Sequence, residues 1–329
     1  MRAMVLKAVG GPENFELAEI GMPRPGSGEV LVRLHASALN PVDARIRNGL
    51  PIGPALPAVL GADLSGTIEA VGDDVCDLSP GDEVYGCAGG VRGLGGSFAD
   101  YIATDARLLA RKPRRLSMRE AAAMPLVSIT AWNCMERADV GAGDHVLVHA
   151  GCGGVGHVAV QLAKARGARV TTTVSSPEKA AIAQDLGADH TVLYNQESVA
   201  DYVGRLTGGR GFEVVIDTVG GENLDRSFQA ASVGGRIAAT AARSTHDLSP
   251  LHAKALSLHV VFMLIPLLEN VGREDHGRIM RDITALVESG KLRPLVDPTD
   301  FRLDQLPDAF RHLESGRPLG KVVVDVMRG

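Results

Sequence analysis

Three things are scarce in this 329-residue chain: paired cysteines, long apolar runs and blocks of one charge. Its four cysteines, Cys76, Cys87, Cys134 and Cys152, stand far apart, without the spacing of a disulfide framework or a zinc knuckle, so reduced thiols are expected. No stretch has the apolar length to span a bilayer, and the opening MRAMVLKAVGG alternates like a strand where a secretory leader would carry an apolar core. The expectation is a cytoplasmic protein without a membrane partner. Lys and Arg number 34 against 39 acidic residues, a net charge of −5, and the densest basic cluster, RKPRR at 111–115, is cut by Pro113. It reads as a solvated linker, and with no basic stripe to follow a phosphate backbone the chain is not expected to bind nucleic acid. Internal repeats and low-complexity tracts are missing as well.

What is present is ordinary globular material: 45% hydrophobic and 22% charged residues, enough for buried cores over a length that predicts two domains. The first third reads as short strands punctuated by Gly and Pro, at 28–39, 64–72, 81–86 and 98–110. From about residue 120 strands and helices alternate: DHVLVHA, VGHVAVQLAKARG, ARVTTTVSS, PEKAAIAQDLG and DHTVLY. Further strands at 212–219, 234–240 and 256–264 bring the count to six, the number in a complete doubly wound parallel sheet. Helical patterns at 276–290 and in LPDAFRHLESG precede a last strand, GKVVVDV.

The stretch HAGCGGVGH (149–157) admits two readings. His149, Cys152 and His157 could form a metal site, or the glycines could strip a loop bare for a phosphate. Gly151, Gly153 and Gly156 form G-x-G-x-x-G directly after a strand and directly before a helix with Val155, Val158, Ala159, Leu162 and Ala163 at helical spacing. In that context the glycines allow a tight turn, close approach of a pyrophosphate and close helix–strand packing, and the anion meets the helix N-terminus, with Gly154 and Val155 beside it. The metal reading lacks a second Cys/His cluster, and the turn would aim the three side chains apart; no metal is expected. An NAD-specific site places an acid at the end of the second strand. Here Val174, Ser175 and Ser176 stand there, with Lys179 three residues on, which favours the 2′-phosphate of NADPH. Lys179 could equally be an exposed residue of a helix's first turn.

HASALNPVDARIRNG, LPAVLGADLSGTIEAVG, LSPGDEVYG, MPLVSITAW, HAGCGGVGHVAVQLAKARGARV, SSPEKAAIAQDLGADH and SGRPLGKVVVDV resemble the zinc-free quinone oxidoreductase, or zeta-crystallin-like, branch of the medium-chain dehydrogenase/reductase superfamily. The resemblance runs through nearly the whole chain. It implies an α/β protein with a GroES-like, β-rich catalytic domain from 1–122 and 265–329, a Rossmann dinucleotide-binding domain at 123–264, and an active-site cleft at their junction. A homodimer joined through the Rossmann sheet edge, at SLHVVFML, is implied too. Zinc-dependent alcohol dehydrogenases of the superfamily carry a catalytic Cys where this chain has Asn40 and a His where it has Ala62. Without that zinc no Lewis acid lowers an alcohol's pKa, and the implied reaction passes a hydride from NADPH to an acceptor already electrophilic, a quinone or an α,β-unsaturated carbonyl.

By the same resemblance Asn40 and Thr130 lie at the reacting end. Ser175, Lys179 and Tyr194 match positions that hold the 2′-phosphate, and Val219, Thr240, Phe262 and Leu264 flank the nicotinamide. Asn40, Thr130 and Tyr194 each have a plain alternative: a turn-forming Asn before Pro41, a helix Thr bonded to its own backbone, a strand-end Tyr. Many relatives carry a substrate-contacting tyrosine shortly after the Asn motif, whereas DARIRNGLPIG has none; Asp43, Arg45 and Arg47 there read as charges on a solvated turn. The missing tyrosine weakens a second reading, an enoyl-thioester (CoA or carrier protein) reductase, whose carbanion needs a placed acid. A third reading is a non-catalytic NADPH-binding dimer.

Overall fold

A computed structural model describes residues 1–327. The chain folds as two units, one from Met1–Ile129 with the chain from Leu264 on, the other Thr130–Met263. In the first, the chain lays down β1 (Arg2–Leu6), β2 (Phe15–Glu19), β3 (Glu29–Ala38), β4 (Ala58–Val59), β5 (Asp63–Val71), β6 (Glu83–Cys87), β7 (Tyr101–Asp105) and β8 (Leu109–Arg111). Helix α1 (Pro41–Arg47) follows β3, and α2 (Met118–Ala122) leads to α3 (Pro125–Arg137), which carries the chain into the second unit. Strand β3 is the axis of the larger sheet, pairing antiparallel with both β5 and β7. Its Val30, Val32, Leu34, Ala36 and Ala38 are all buried, the period of two that fastens one strand face to a core.

The run FADYIATDARLLA, expected as one strand, is two. Asp105 accepts the Arg107 N–H at 3.0 Å and ion-pairs with Arg107 at 2.7 Å and Arg273 at 3.1 Å. A turn at 106–108 therefore separates β7 from β8. RKPRR is the expected solvated stretch only in part, with Arg111, Arg114 and Arg115 exposed. Arg111 pairs with Asp82 at 2.9 Å, and the Lys112 side chain is buried against Glu83 at 3.2 Å.

The second unit is a six-stranded parallel sheet of β9 (His145–Val148), β10 (Arg169–Val174), β11 (His190–Leu193), β12 (Phe212–Asp217), β13 (Ala231–Ala239) and β14 (Ser257–Val260), in the order β11-β10-β9-β12-β13-β14. This is the doubly wound order 3-2-1-4-5-6. Covered on both faces, its central strands read as continuous apolar runs, Val146–Val148 and Val214–Ile216, all fully buried. Helices α4 (Gly154–Ala165) and α5 (Pro177–Asp185) lie where the sequence pattern puts them; α6 (Val199–Thr207), α7 (Asn223–Ala230) and α8 (Ser249–Lys254) complete the crossovers without having been anticipated. Strand β14 is shorter than the apolar run 256–264, since Phe262–Leu264 leave the sheet. Back in the first unit come the expected helix Arg273–Glu288, β15 (Phe301–Arg302), the expected helix Leu306–Glu314 and β16 (Val323–Asp325), the last pairing with β3. Among the described residues no helix is long and apolar enough to cross a membrane.

Candidate active site

The glycine loop sits at the switch point of the second unit, where β9 has β10 on one side and β12 on the other. A side chain at Gly151 would meet Thr172 Oγ1 at 2.1 Å, and one at Gly156 would meet the Ala150 carbonyl oxygen at 2.0 Å. Ala150 itself holds a left-handed φ of 57°. Gly153 caps α4 without a side chain, so the first-turn N–H groups of Gly154, Val155 and Gly156 lack acceptors within the helix and face outward along its axis. That cradle fits a pyrophosphate.

The three side chains of the metal reading point to separate partners. His149 Nδ1 lies 3.3 Å from Thr173 Oγ1, His157 Nδ1 lies 2.9 Å from the Gly153 carbonyl, and Cys152 Sγ donates to the Lys179 carbonyl at 3.1 Å. Burial pushes His149 down to about 4, so its ring is neutral at physiological pH. The Cys152 bond ties the glycine loop to the first turn of α5, bringing Lys179 to it. Ser176 caps α5, and its hydroxyl also engages the exposed carboxylate of Glu178, holding that acid below its usual range. Asn195 donates to the Ser175 carbonyl at 3.2 Å and Tyr194 N–H to Val174 at 3.3 Å. Ser175, Lys179 and Tyr194 therefore gather at one corner of the sheet.

Asp217, fully buried at the end of β12, organises the next loop. One of its oxygens accepts the N–H groups of Val219 at 2.9 Å and Gly220 at 2.8 Å; the other accepts Asn223 Nδ2 at 3.1 Å and Ser227 Oγ at 2.8 Å. Its carbonyl takes the Thr240 N–H at 3.0 Å. Val219 and Thr240 are thus both set by Asp217, a residue the sequence reading did not single out. Phe262 is half-exposed with Arg243 over its ring. Leu264 is buried in the first unit and Thr130 at the start of the second.

In the first unit, Asn40 is buried at the N-terminus of α1. Its Nδ2 donates to Asp63 Oδ2 at 2.9 Å, and its Oδ1 accepts from the Lys321 ammonium. Lys321 also reaches the Leu39 carbonyl at 2.9 Å and Asp63 Oδ2 at 3.1 Å. Asp63 Oδ1 accepts the N–H of Leu126, in the first turn of α3, at 2.7 Å. Sequence reasoning missed Asp63 and Lys321. The signal for Lys321 was a lone charge entering a run of valines that had to be buried.

Asp43 and Arg47 correct the solvated-turn reading, since both are buried. Arg47 pairs with Glu314 at 2.7 Å over the Phe310 ring. Asp43 accepts the Asn40 N–H at 2.7 Å, while burial, reinforced by Asp63, pushes its carboxyl up to about 7. The folded chain therefore keeps a proton that the unfolded chain releases near 3.8, and this contribution to stability falls as pH rises between those values. Relative to Asp43→Asn, the wild type should lose on the order of 1 kcal/mol per pH unit across that window. Denaturant midpoints at pH 4.5 and 7.5 check it; an equal gap at both would refute it.

Residues 26–114 match the family described as Alcohol dehydrogenase GroES-like domain, and 186–324 the family described as Zinc-binding dehydrogenase. The chain is 33% identical to a chloroplastic NADPH-dependent alkenal/one oxidoreductase of Arabidopsis thaliana, over 98% of this chain and 79% of that one. It is 28% identical to human quinone oxidoreductase, over 98% and 97%. The chain belongs to the quinone oxidoreductase branch of the medium-chain dehydrogenase/reductase superfamily. Among solved structures of the superfamily, an alcohol dehydrogenase superfamily protein from Novosphingobium aromaticivorans is 42% identical with a TM-score of 0.95, covering 99% of this chain and all of that one. One named NAD-dependent alcohol dehydrogenase is 37% identical with a TM-score of 0.89, over 99% and 100%. A zinc ion does not fit the residues around Asn40. The Asn40 amide and the Asp63 carboxylate already hold an ammonium, the Asp43 carboxylate is taken up by the Asn40 N–H, Ala62 offers no donor, and the described residues contain no group of three or more His, Cys, Asp or Glu able to hold a metal.

Proposed function

We propose that this chain is a zinc-independent reductase that uses NADPH to reduce a quinone or an α,β-unsaturated carbonyl. The observation that carries the reading is the end of β10, where Val174, Ser175 and Ser176 stand in place of a strand-end acid and the first turn of α5, with Lys179, is tied to a glycine loop opening on a helix N-terminus. NADPH, when bound, supplies the hydride. The first-turn N–H groups from Gly154 to Gly156 hold its pyrophosphate, with Gly151 and Gly153 giving the backbone room. Ser175, Lys179 and Tyr194 hold its 2′-phosphate, and Val219, Thr240, Phe262 and Leu264 confine the nicotinamide. Asn40 and Thr130 contact the acceptor. We assign catalysis to the unit Met1–Ile129 with the chain from Leu264 on, and dinucleotide binding to Thr130–Met263. The names of the alkenal/one and quinone oxidoreductase relatives support this acceptor class. We further propose a cytoplasmic homodimer joined along β14, whose exposed Val260 lies on an edge strand.

The test is chelator-treated protein assayed for NADPH and NADH oxidation, with and without a simple quinone or enone. Acceptor-dependent NADPH loss is expected, with NADH at least ~10-fold poorer, the worth of one charge-assisted contact to the 2′-phosphate. Lys179→Ala should raise the KM for NADPH by a similar factor and leave kcat. A preference for NADH, as one relative's name suggests, would overturn the cofactor reading. Turnover of crotonyl-CoA in place of quinone would move the substrate class to enoyl thioesters, and tight NADPH binding without any turnover would leave a non-catalytic binder.

A further inference from the structure

The buried group of Lys321, Asp63 and Asn40 does more than fill space. Asp63 is fully inaccessible and Lys321 nearly so, at 3% exposed. A buried ion pair is a poor source of stability, because desolvating both charges offsets most of their attraction, and apolar residues of similar volume would serve as well. What such a pair can supply is orientation. An ammonium only donates and a carboxylate only accepts. With Lys321 on Oδ1 and Asp63 on Nδ2, the Asn40 amide has one allowed orientation; flipping it would set N–H against ammonium and carbonyl against carboxylate. One of the two Nδ2 hydrogens goes to Asp63, so the hydrogen-bonding capacity left on that nitrogen is a single N–H donor.

A donor is what the proposed reaction needs. Hydride addition to a quinone or enone leaves negative charge on the acceptor oxygen, and a donor fixed in advance stabilises it without reorganising during the step. Asp63 reaches further. Its second oxygen anchors the Leu126 N–H, and Thr130 stands one turn on along the same helix. One carboxylate thus holds both the Asn40 amide and the first turn of α3. The group joins distant parts of the chain, Lys321 lying 281 positions from Asn40.

We propose that Asp63 and Lys321 are positioning residues that lock the Asn40 amide with its N–H, and not its oxygen, presented to the acceptor. This rests on the reductase reading above. Lys321 acts through Asn40, so its effect on turnover depends on Asn40 being there.

The experiment is a double-mutant cycle on kcat with quinone and NADPH. Asn40→Ala should lower kcat by ~100-fold, the scale of losing one placed donor to a developing oxyanion, and Lys321→Met by ~10-fold or more. In the Asn40→Ala background, Lys321→Met should cost less than about twofold, because coupled residues do not add; the dissociation constant for NADPH should not change. Costs that multiply in the double variant would overturn the proposal and leave Lys321 structural. If Lys321→Met does not fold, Asp63→Asn/Lys321→Met removes both charges while keeping an acceptor for Leu126, and enters the same cycle with the same expectation. A readout without turnover separates this inference from the functional reading. The side-chain amide of Asn40 should give two distinct, exchange-protected proton resonances on one nitrogen in the wild type and lose that protection in the neutralised pair. Protection that survives would overturn the positioning role even if the wild type reduces quinones, and its loss would uphold the locked amide even if the wild type reduces none.

Discussion

Gly156→Val should abolish useful NADPH binding and destabilise the second unit by about 3 kcal/mol. The added Cβ would sit 2.0 Å from the Ala150 carbonyl oxygen and 3.1 Å from the Gly151 Cα. Both obstacles are backbone in a turn already held at a left-handed Ala150, so neither can swing aside as a side chain could. Relief requires moving α4 away from β9. That shift carries the first-turn N–H groups off the pyrophosphate, and losing two charge-assisted bonds weakens binding on the order of 100-fold or more. Gly204→Ala is the matched control. It lies inside α6 with nothing within 4 Å of the new Cβ, and should stabilise by roughly 0.5–1 kcal/mol. Thermal denaturation and an NADPH titration of both variants decide it; a Gly156→Val protein binding NADPH like the wild type would refute the cradle.

Asp217→Ala should cost about 3–5 kcal/mol and loosen the loop after β12. Four donors converge on this carboxylate: the N–H groups of Val219 and Gly220, Asn223 Nδ2 and Ser227 Oγ. Removing it leaves them facing a small apolar cavity, and each buried donor without a partner costs roughly 1–3 kcal/mol before relaxation. Water entering the cavity recovers part of the loss, so the sum is less than additive. The affinity for NADPH should fall with stability, since Val219 and Thr240 are held from the same residue. A variant with a wild-type melting temperature would show that α7 caps the loop by other means.

The doubly wound half of the molecule was legible in advance. Period-two and continuous apolar runs alternating with helical spacing gave the six strands, and a glycine pattern between strand and helix marked the phosphate cradle. Such signals are local, because a strand or a first helical turn is specified by residues within a few positions of one another. The acceptor end was legible only in part. Asn40 was marked by the family resemblance, with a turn before Pro41 as its plain alternative, but Asp43 and Arg47 look like surface charges in sequence because burial is not a local property. Arg47 is buried by Glu314 and Phe310, which arrive from the far end of the chain.

The sequence by itself therefore determined the six strands of the parallel sheet, its doubly wound class and the place where backbone must lie bare for a phosphate. The tertiary structure alone decided what Asn40 is for. Its amide is oriented by Asp63 and by Lys321, groups that converge only after β16 has paired with β3 and the folded interior has excluded water. Until then an ammonium and a carboxylate hundreds of residues apart are two solvated charges with no energy to exchange. Once buried they must find each other and a polar partner, and the side chain between them is held in one orientation.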